Sequence, residues 1–185
     1  MRKLVCFGDS ITARQEGFSE PMLTTKLSDK LQGYEVVNAG VAGDNTFDAL
    51  KRLEHDVMSQ QPDLVTVLFG ANDAAIHKMV ELGDYQSNLF KMVKQIGPDR
   101  TILISPSPVD EAVQFARTNG ILSRYVSAVE QVAKETGSHY IDFFSYMFAQ
   151  KDYKDKLKGI RNDGLHFGEQ GYDVLVSLIH KKIEA

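Results

Sequence analysis

The sequence predicts an α/β protein in which helices cover both faces of a parallel sheet, giving a three-layer sandwich. Short apolar runs typical of strands alternate with longer segments of helical periodicity, which is the pattern of repeated strand–helix units. Right-handed crossovers place helices on both faces, and about five strands favour the flavodoxin-like order 2-1-3-4-5. The length of 185 residues suits one domain spanning residues 1–185.

Five apolar runs predict the strands. The third run, Leu-Val-Thr-Val-Leu-Phe, shows almost no polar alternation. It therefore predicts a central strand that is buried on both faces. The predicted strands are Lys3 to Gly8, Tyr34 to Ala39, Leu64 to Phe69, Thr101 to Ser105 and Ser138 to Ile141.

Between the strands, apolar side chains recur three or four residues apart, the spacing of one helix face. The first helix follows Pro21, which a first helical turn tolerates. The second begins with Asn45 or Thr46 as its cap, and the third begins at Asp84. The fourth ends at Gly137. The apolar faces comprise Leu23, Leu27 and Leu31; Phe47, Leu50, Leu53 and Val57; Tyr85, Leu89, Met92 and Ile96; Tyr125, Val129, Val132 and Ala133; and Tyr172, Leu175, Leu178, Ile179 and Ile183.

Composition and charge narrow the possible functions. Hydrophobic residues make up 43% and charged residues 25%, as in ordinary globular proteins. The net charge of -4 leaves no basic excess for a phosphate backbone, so we expect no nucleic-acid partner. No apolar stretch approaches the ~20 residues that cross a bilayer, so we expect no membrane insertion. The single cysteine, Cys6, and a start that does not resemble a secretory leader predict a cytoplasmic protein of open oligomeric state.

Four polar motifs lie where a predicted strand ends or a predicted helix begins. Ligands of open parallel sheets bind outside the carboxyl ends of the strands. We therefore expect these motifs to converge on one cleft. They are Gly8-Asp9-Ser10, Asn38-Ala39-Gly40, Gly70-Ala71-Asn72-Asp73 and Asp163-Gly164-Leu165-His166.

The first and last motifs could form a nucleophilic site. A serine such as Ser10 needs a base within hydrogen-bond reach and a third group that orients the base. Asp163 and His166 offer both, because the carboxylate can accept from one imidazole nitrogen while the other nitrogen faces the serine. Each motif alone also has an ordinary alternative, since Asp9, Ser10 or Asp163 could simply cap a helix.

The two middle motifs could supply donors for a developing oxyanion. Gly40 can present a backbone N–H closely, and Asn72 can present its side-chain amide. The alternative is that both are plain turn residues after a strand. No cluster of His, Cys and acidic residues has metal-ligand spacing, so we expect no metal.

Together and in this order, the four motifs resemble the GDSL or SGNH hydrolases, and Gly171 fits that family's last sequence block. The resemblance extends from residue 3 to about residue 180. It implies an SGNH-type flavodoxin-like sandwich and a serine esterase that needs no cofactor. In it, Ser10 is the nucleophile, His166 the general base and Asp163 the orienting acid. The oxyanion hole comprises Ser10, Gly40 and Asn72.

The expected substrate is a small carboxylic or thio ester with a short to medium acyl chain. Five residues near the expected cleft are the predicted substrate contacts: Asp9, Ile11, Phe47, Val109 and Phe167. Two alternatives remain open at this point. One is a carbohydrate deacetylase of the same fold, and the other is a non-catalytic flavodoxin-like binding module.

Overall fold

Five parallel strands form the sheet. The computed structural model describes all 185 residues, and its strands follow the order β2-β1-β3-β4-β5, which confirms the predicted topology. Gly8 pairs with both Gly40 and Leu68, so the carboxyl ends of the first three strands are level. The strands are β1 (Arg2–Gly8), β2 (Tyr34–Gly40), β3 (Leu64–Leu68), β4 (Thr101–Ile104) and β5 (His139–Ile141).

Eight helices connect or follow these strands. The five predicted helices correspond to α2, α3, α4, α5 and α8, and three short ones are additional. Single 3₁₀ turns span Met58–Gln60 and Pro98–Arg100. The helices are α1 (Ser10–Ala13), α2 (Met22–Lys30), α3 (Thr46–Asp56), α4 (Leu82–Ile96), α5 (Asn119–Thr136), α6 (Phe143–Phe148), α7 (Tyr153–Lys156) and α8 (Glu169–Glu184).

Side chains of the strands divide the core into two clusters, one on each face of the sheet. Val5 and Phe7 of β1 pack with apolar residues of α3, α4 and α5. Leu4 and Cys6 of the same strand pack with α2, α6 and α8. Because successive side chains of a strand point to opposite faces, this alternation produces the predicted three layers.

In helix α3 the buried face differs from the predicted one. Asn45 is the N-cap, and its side chain accepts from Asp48 N at 3.1 Å while Asp48 accepts from Asn45 N, a capping box. The buried side chains of the helix are Thr46, Ala49 and Leu53. Phe47, which the periodicity places on the core face, is 43% exposed instead.

Two irregular segments, residues 105–118 and 157–168, lie beyond the carboxyl ends of the strands. They are joined by a hydrogen bond of 2.9 Å from Asp110 N to Gly164 O. None of the helices combines the length and apolar character that a membrane crossing requires.

Candidate active site

Ser10 begins helix α1 directly after β1. Asp9 is the N-cap, and its Oδ1 accepts from Ile11 N at 2.9 Å. A side chain at Gly8 would overlap Thr12, so the glycine lets α1 turn tightly against the strand. The N–H of Ser10 is the first of the helix and has no carbonyl partner within it. The turn thus presents the hydroxyl and the backbone N–H of Ser10 together at the carboxyl end of β1.

His166 and Asp163 face Ser10 from the segment before α8. Ser10 Oγ lies 2.8 Å from His166 Nε2, and His166 Nδ1 lies 2.6 Å from Asp163 Oδ2. The other carboxylate oxygen accepts from the backbone N–H groups of Leu165 and His166 at 3.0 and 2.9 Å. Because an ionised carboxylate only accepts, Nδ1 carries the imidazole proton and Nε2 accepts from the serine hydroxyl.

Burial and hydrogen bonding act in opposite directions on this pair. Burial lowers the pKa of His166 and outweighs the opposing effect of Asp163, so the imidazole is neutral at neutral pH. Burial raises the pKa of Asp163, but hydrogen bonds from the ring and backbone of His166 more than offset it, and the net pKa is lowered. The site therefore holds a neutral base beside an ionised carboxylate.

Asn72 lies in the loop after β3, and its buried side chain is held from two sides. Its Nδ2 donates to Asp44 O at 2.9 Å, and its Oδ1 accepts from Arg117 Nη2 at 3.3 Å. Because an amide nitrogen carries two hydrogens, one N–H remains available after the bond to Asp44.

Gly40 contradicts our prediction of an oxyanion donor. Its N–H already donates to Asn38 Oδ1 at 2.9 Å. A Cβ on Gly40 would lie 2.5 Å from Ala13 N, so this glycine serves the close packing of β2 against α1. The prediction was wrong because the sequence does not reveal that the Asn38 side chain turns back to accept from this N–H.

Gly43, three residues further along, has a backbone N–H that makes no hydrogen bond. Its φ of 86° places it in the left-handed region that favours glycine. The following residue, Asp44, accepts from Asn72, so Gly43 lies beside the Asn72 amide. Of the two glycines, Gly43 has the unengaged donor.

Four of the five predicted substrate contacts are core residues. Asp9, Ile11, Val109 and Phe167 are at most 3% exposed. Asp9 caps α1, and the Ile11 carbonyl accepts from Tyr172 Oη at 2.6 Å. Their burial corrects the prediction, since a residue enclosed by its own core cannot contact a ligand in the cleft. Of the five predicted contacts, only Phe47 is exposed.

Three other apolar side chains, Ile76, Val113 and Phe115, are exposed on the segments that carry or adjoin Asn72 and Asp163. We call these three residues the apolar rim. Ile76 N donates to Ala116 O at 3.0 Å, which joins the loop after β3 to segment 105–118. A Cβ on Gly164 would lie 2.7 Å from Val113 Cγ2, which places Val113 next to Asp163. Phe115 is 84% exposed.

Two further residues at the site, Arg117 and Gln114, are not among those predicted from sequence. Arg117 donates to Ala71 O and to Asn72 Oδ1, and Gln114 Nε2 donates to Asp163 O at 3.1 Å. Neither residue belongs to a motif or a periodic element. The only available signal was that both follow the irregular Ser-Pro-Ser-Pro stretch at the end of β4. The structure contains no group of three or more His, Cys, Asp or Glu side chains that could hold a metal ion.

Known proteins share this architecture. Residues 6–174 match the GDSL-like lipase/acylhydrolase family. The human isoamyl acetate-hydrolyzing esterase 1 homolog is 32% identical over 212 aligned positions, covering 99% of this chain and 83% of that protein.

Two solved structures are also similar. A lipase/acylhydrolase from Enterococcus faecalis superposes with a TM-score of 0.90 at 33% identity, covering 100% of this chain and 96% of that one. An acetyl-xylooligosaccharide esterase from Geobacillus stearothermophilus has a TM-score of 0.79 at 26% identity, with coverages of 100% and 94%. Because the family's sequence pattern matches most of its length and the fold agrees, the chain belongs to the GDSL-like lipase/acylhydrolase family.

Proposed function

We propose that the protein hydrolyses small carboxylic or thio esters through an acyl-enzyme formed on Ser10. Its family and relatives make it an ester hydrolase. The main support for the assigned residues is the continuous chain of hydrogen bonds from Ser10 Oγ through His166 to Asp163, at 2.8 and 2.6 Å.

In the first half-reaction, Ser10 Oγ attacks the ester carbonyl while His166 Nε2 takes the hydroxyl proton. Asp163 holds the ring in the required tautomer and stabilises the imidazolium that forms. Collapse of the tetrahedral intermediate breaks the bond to the alcohol or thiol, which leaves with the proton from His166. In the second half-reaction, His166 takes a proton from a water that attacks the acyl-enzyme. It returns that proton to Ser10 Oγ as the bond to the serine breaks and the acid is released.

The negative charge of each tetrahedral intermediate needs fixed donors. We assign this role to the N–H of Ser10, the free N–H of the Asn72 amide and the N–H of Gly43. Backbone and side-chain amides held in place need no reorganisation as the charge appears, and loss of one such donor costs on the order of 10²-fold to 10³-fold in kcat. Gly43 replaces Gly40 in this proposal, because Gly40 N–H is engaged by Asn38.

The apolar rim, with Phe47, is our proposed contact surface for the acyl and alcohol groups. Phe115 and Ile76 expose most of their area on two loops that are hydrogen-bonded to each other. An open rim of this kind suits short or medium acyl chains, because a long chain needs an enclosed apolar pocket to bury its surface.

Replacing Ser10 with alanine tests the proposal. We expect Ser10→Ala to abolish turnover of a short-chain aryl ester and labelling by a fluorophosphonate, because the attacking oxygen is gone. Ser127→Ala, an exposed serine on α5, is the matched control and should retain both. Turnover by pure Ser10→Ala protein at the parental rate would refute the assignment.

A second candidate substrate class is the acetylated sugar, and the likeness to the acetyl-xylooligosaccharide esterase favours it. A panel of aryl esters of increasing acyl length, an acyl-CoA and an acetylated xylooligosaccharide would separate the classes. The highest kcat/KM on the sugar would replace our small-ester proposal. The esterase relatives argue against a non-catalytic binding module.

We also propose a cytoplasmic location and no nucleic-acid partner. The support is the single, buried Cys6, which suits a reducing compartment, and the net charge of -4. Cell fractionation with detection of the tagged protein tests the location, and recovery outside the cytoplasm would contradict it.

A further inference from the structure

We propose that Arg117 is a positioning residue that fixes the Asn72 amide for the developing oxyanion. The inference rests on the proposed function, since it assigns a task within the same site. Arg117 lies outside every sequence motif, yet the residue is only 6% exposed. It bonds to Asn72 directly and is linked to Asp163 through Gln114.

The contacts of Arg117 converge on the segment that presents Asn72. Its Nε donates to Ala71 O, and its Nη2 donates to Asn72 Oδ1 at 3.3 Å. The guanidinium thus holds both the backbone before Asn72 and the oxygen of its side chain. A planar fork of fixed donors suits this task better than a single ammonium group.

Gln114 extends the arrangement to the opposite side of the site. Its Oε1 accepts from Arg117 Nη1 at 3.2 Å, and its Nε2 donates to Asp163 O at 3.1 Å. Arg117 and Gln114 therefore connect the proposed oxyanion donor Asn72 with the carboxylate-bearing residue Asp163. Segment 105–118 sets the spacing between these groups.

All the acceptors of Arg117 are uncharged, which is unusual for a buried cation. The partly buried Arg52 pairs with the carboxylates of Asp44 and Asp56, and Arg14 pairs with Glu16. A buried guanidinium is costly unless its N–H groups are satisfied. Here the acceptors are Ala71 O, Gln114 Oε1 and Asn72 Oδ1, so the bonds that satisfy the guanidinium also hold the Asn72 amide.

The orientation of the Asn72 amide decides whether it helps or opposes the reaction. With Oδ1 held by Arg117 and one Nδ2 hydrogen held by Asp44 O, the second hydrogen is available to the oxyanion. Without Arg117 the amide can rotate and turn Oδ1 towards the negative charge. The transition state would then lose a donor, whereas binding of the neutral ester would change little.

A double-mutant cycle on kcat tests this directly, using a short-chain aryl ester with the parent, Arg117→Met, Asn72→Ala and the double variant. We expect Arg117→Met to lower kcat about 10-fold to 10²-fold with KM changed less than about 3-fold. In the Asn72→Ala background, the same change should cost less than about 3-fold, because its target is already gone. An equal loss in both backgrounds, a loss confined to KM, or no loss would overturn the proposal.

Two further variants separate geometry from charge and from folding. Arg117→Lys keeps the charge but not the fork, so we expect it to lose nearly as much kcat as Arg117→Met. Parental kcat in Arg117→Lys would overturn the positioning role. If Arg117→Met does not fold, Gln114→Ala replaces it in the cycle, and the same dependence on Asn72 is expected.

Arg100→Met is the matched control. Arg100 also donates to backbone carbonyls, those of Pro62 and Ile96, but it lies before β4, at the opposite end of the strand from the site. We expect a lower melting temperature with unchanged kcat. If the proposed function itself were wrong, the parent would show no Ser10-dependent turnover, whereas failure of the Arg117 proposal leaves that turnover intact.

Discussion

His166 is enclosed between a hydroxyl and a carboxylate, and its surroundings set the pH dependence of the proposed reaction. Only the neutral imidazole can accept the proton of Ser10. Burial lowers the pKa of His166 below its usual 6.5. The imidazole is therefore mostly neutral at neutral pH and becomes protonated as pH falls through its lowered pKa.

We expect kcat/KM for an aryl ester to rise with pH along one limb whose inflection lies below 6.5, and to be level through neutral pH. The measurement is a pH profile from about 4 to 8. His77→Ala, an exposed histidine, should leave the inflection in place. A flat profile, or an inflection above 7, would contradict the assignment of His166 as base.

The burial of Asp9 makes the free energy of unfolding depend on pH. Burial raises its pKa to about 7, against the opposing hydrogen bond from Ile11 N. Between an unfolded pKa of about 3.9 and this value, the folded chain retains a proton that the unfolded chain loses. Stability should therefore fall as pH rises through this window.

Asp9→Asn can still accept from Ile11 N but cannot ionise. We expect it to raise the free energy of unfolding at pH 8 and to have little effect near pH 4, as measured by urea denaturation. Asp29→Asn, an exposed residue of α2, should show no such difference. An equal effect of Asp9→Asn at both pH values would rule out ionisation as the cause.

Local motifs and distant contacts differ in how well sequence reveals them. Ser10, Asp163 and His166 stand in short motifs whose spacing suggests the chemistry, and the structure brings all three within hydrogen-bond distance. Their catalytic roles remain predictions until tested. Gln114 and Arg117 could not be found, because their contacts join residues far apart in the chain.

At the scale of elements, the start of α8 packs directly against the residue that follows His166. Gly171 lies in the first turn of this helix, and a Cβ there would lie 2.7 Å from the ring of Phe167. Phe167 is fully buried and follows His166 directly. The small residue therefore lets the helix pack where the histidine is presented.

Gly171→Ala should lower the free energy of unfolding by about 1–3 kcal/mol, because a buried ring must move. The kcat should fall too, since Phe167 adjoins His166. Gly83 occupies a similar early position in α4, but a Cβ there meets nothing within 4 Å. Gly83→Ala should therefore be neutral or stabilising by up to about 1 kcal/mol. Equal stability losses in urea denaturation would contradict this packing argument.

Sequence predicts best the longer helices, whose apolar residues recur over several turns, and the strands, which are apolar runs. All five strands and the five longer helices are found, with most ends within about two residues of their predicted positions. Helices α1, α6 and α7 span at most six residues, which is too short for an apolar period to appear. The prediction for Phe47 was wrong because Thr46, Ala49 and Leu53 satisfy the same three- and four-residue spacing, and these are the buried residues.

For the whole molecule, both core clusters share the strands of one sheet. If the helices on one face of the sheet separated from it, the strands that support the other face would lose half of their packing. We therefore propose that residues 1–185 form one cooperative unit, in agreement with the single domain expected from length.

Urea unfolding followed by far-ultraviolet circular dichroism and by tyrosine fluorescence should give coincident single transitions. The tyrosines report from both clusters, with Tyr85 and Tyr125 in one and Tyr34 and Tyr172 in the other. Gly171→Ala should move both midpoints together. Two separated transitions would show that the faces unfold independently.

Segment 105–118 contains no strand or helix, although it spans the distance from Asn72 to Asp163 through its own side chains. Its exposed residues, such as Val113 and Phe115, can therefore be exchanged without breaking the hydrogen bonds between the strands of the sheet. Exchanging this segment between homologues would change the acyl preference with few substitutions, provided that each exchanged segment retains Gln114 and Arg117.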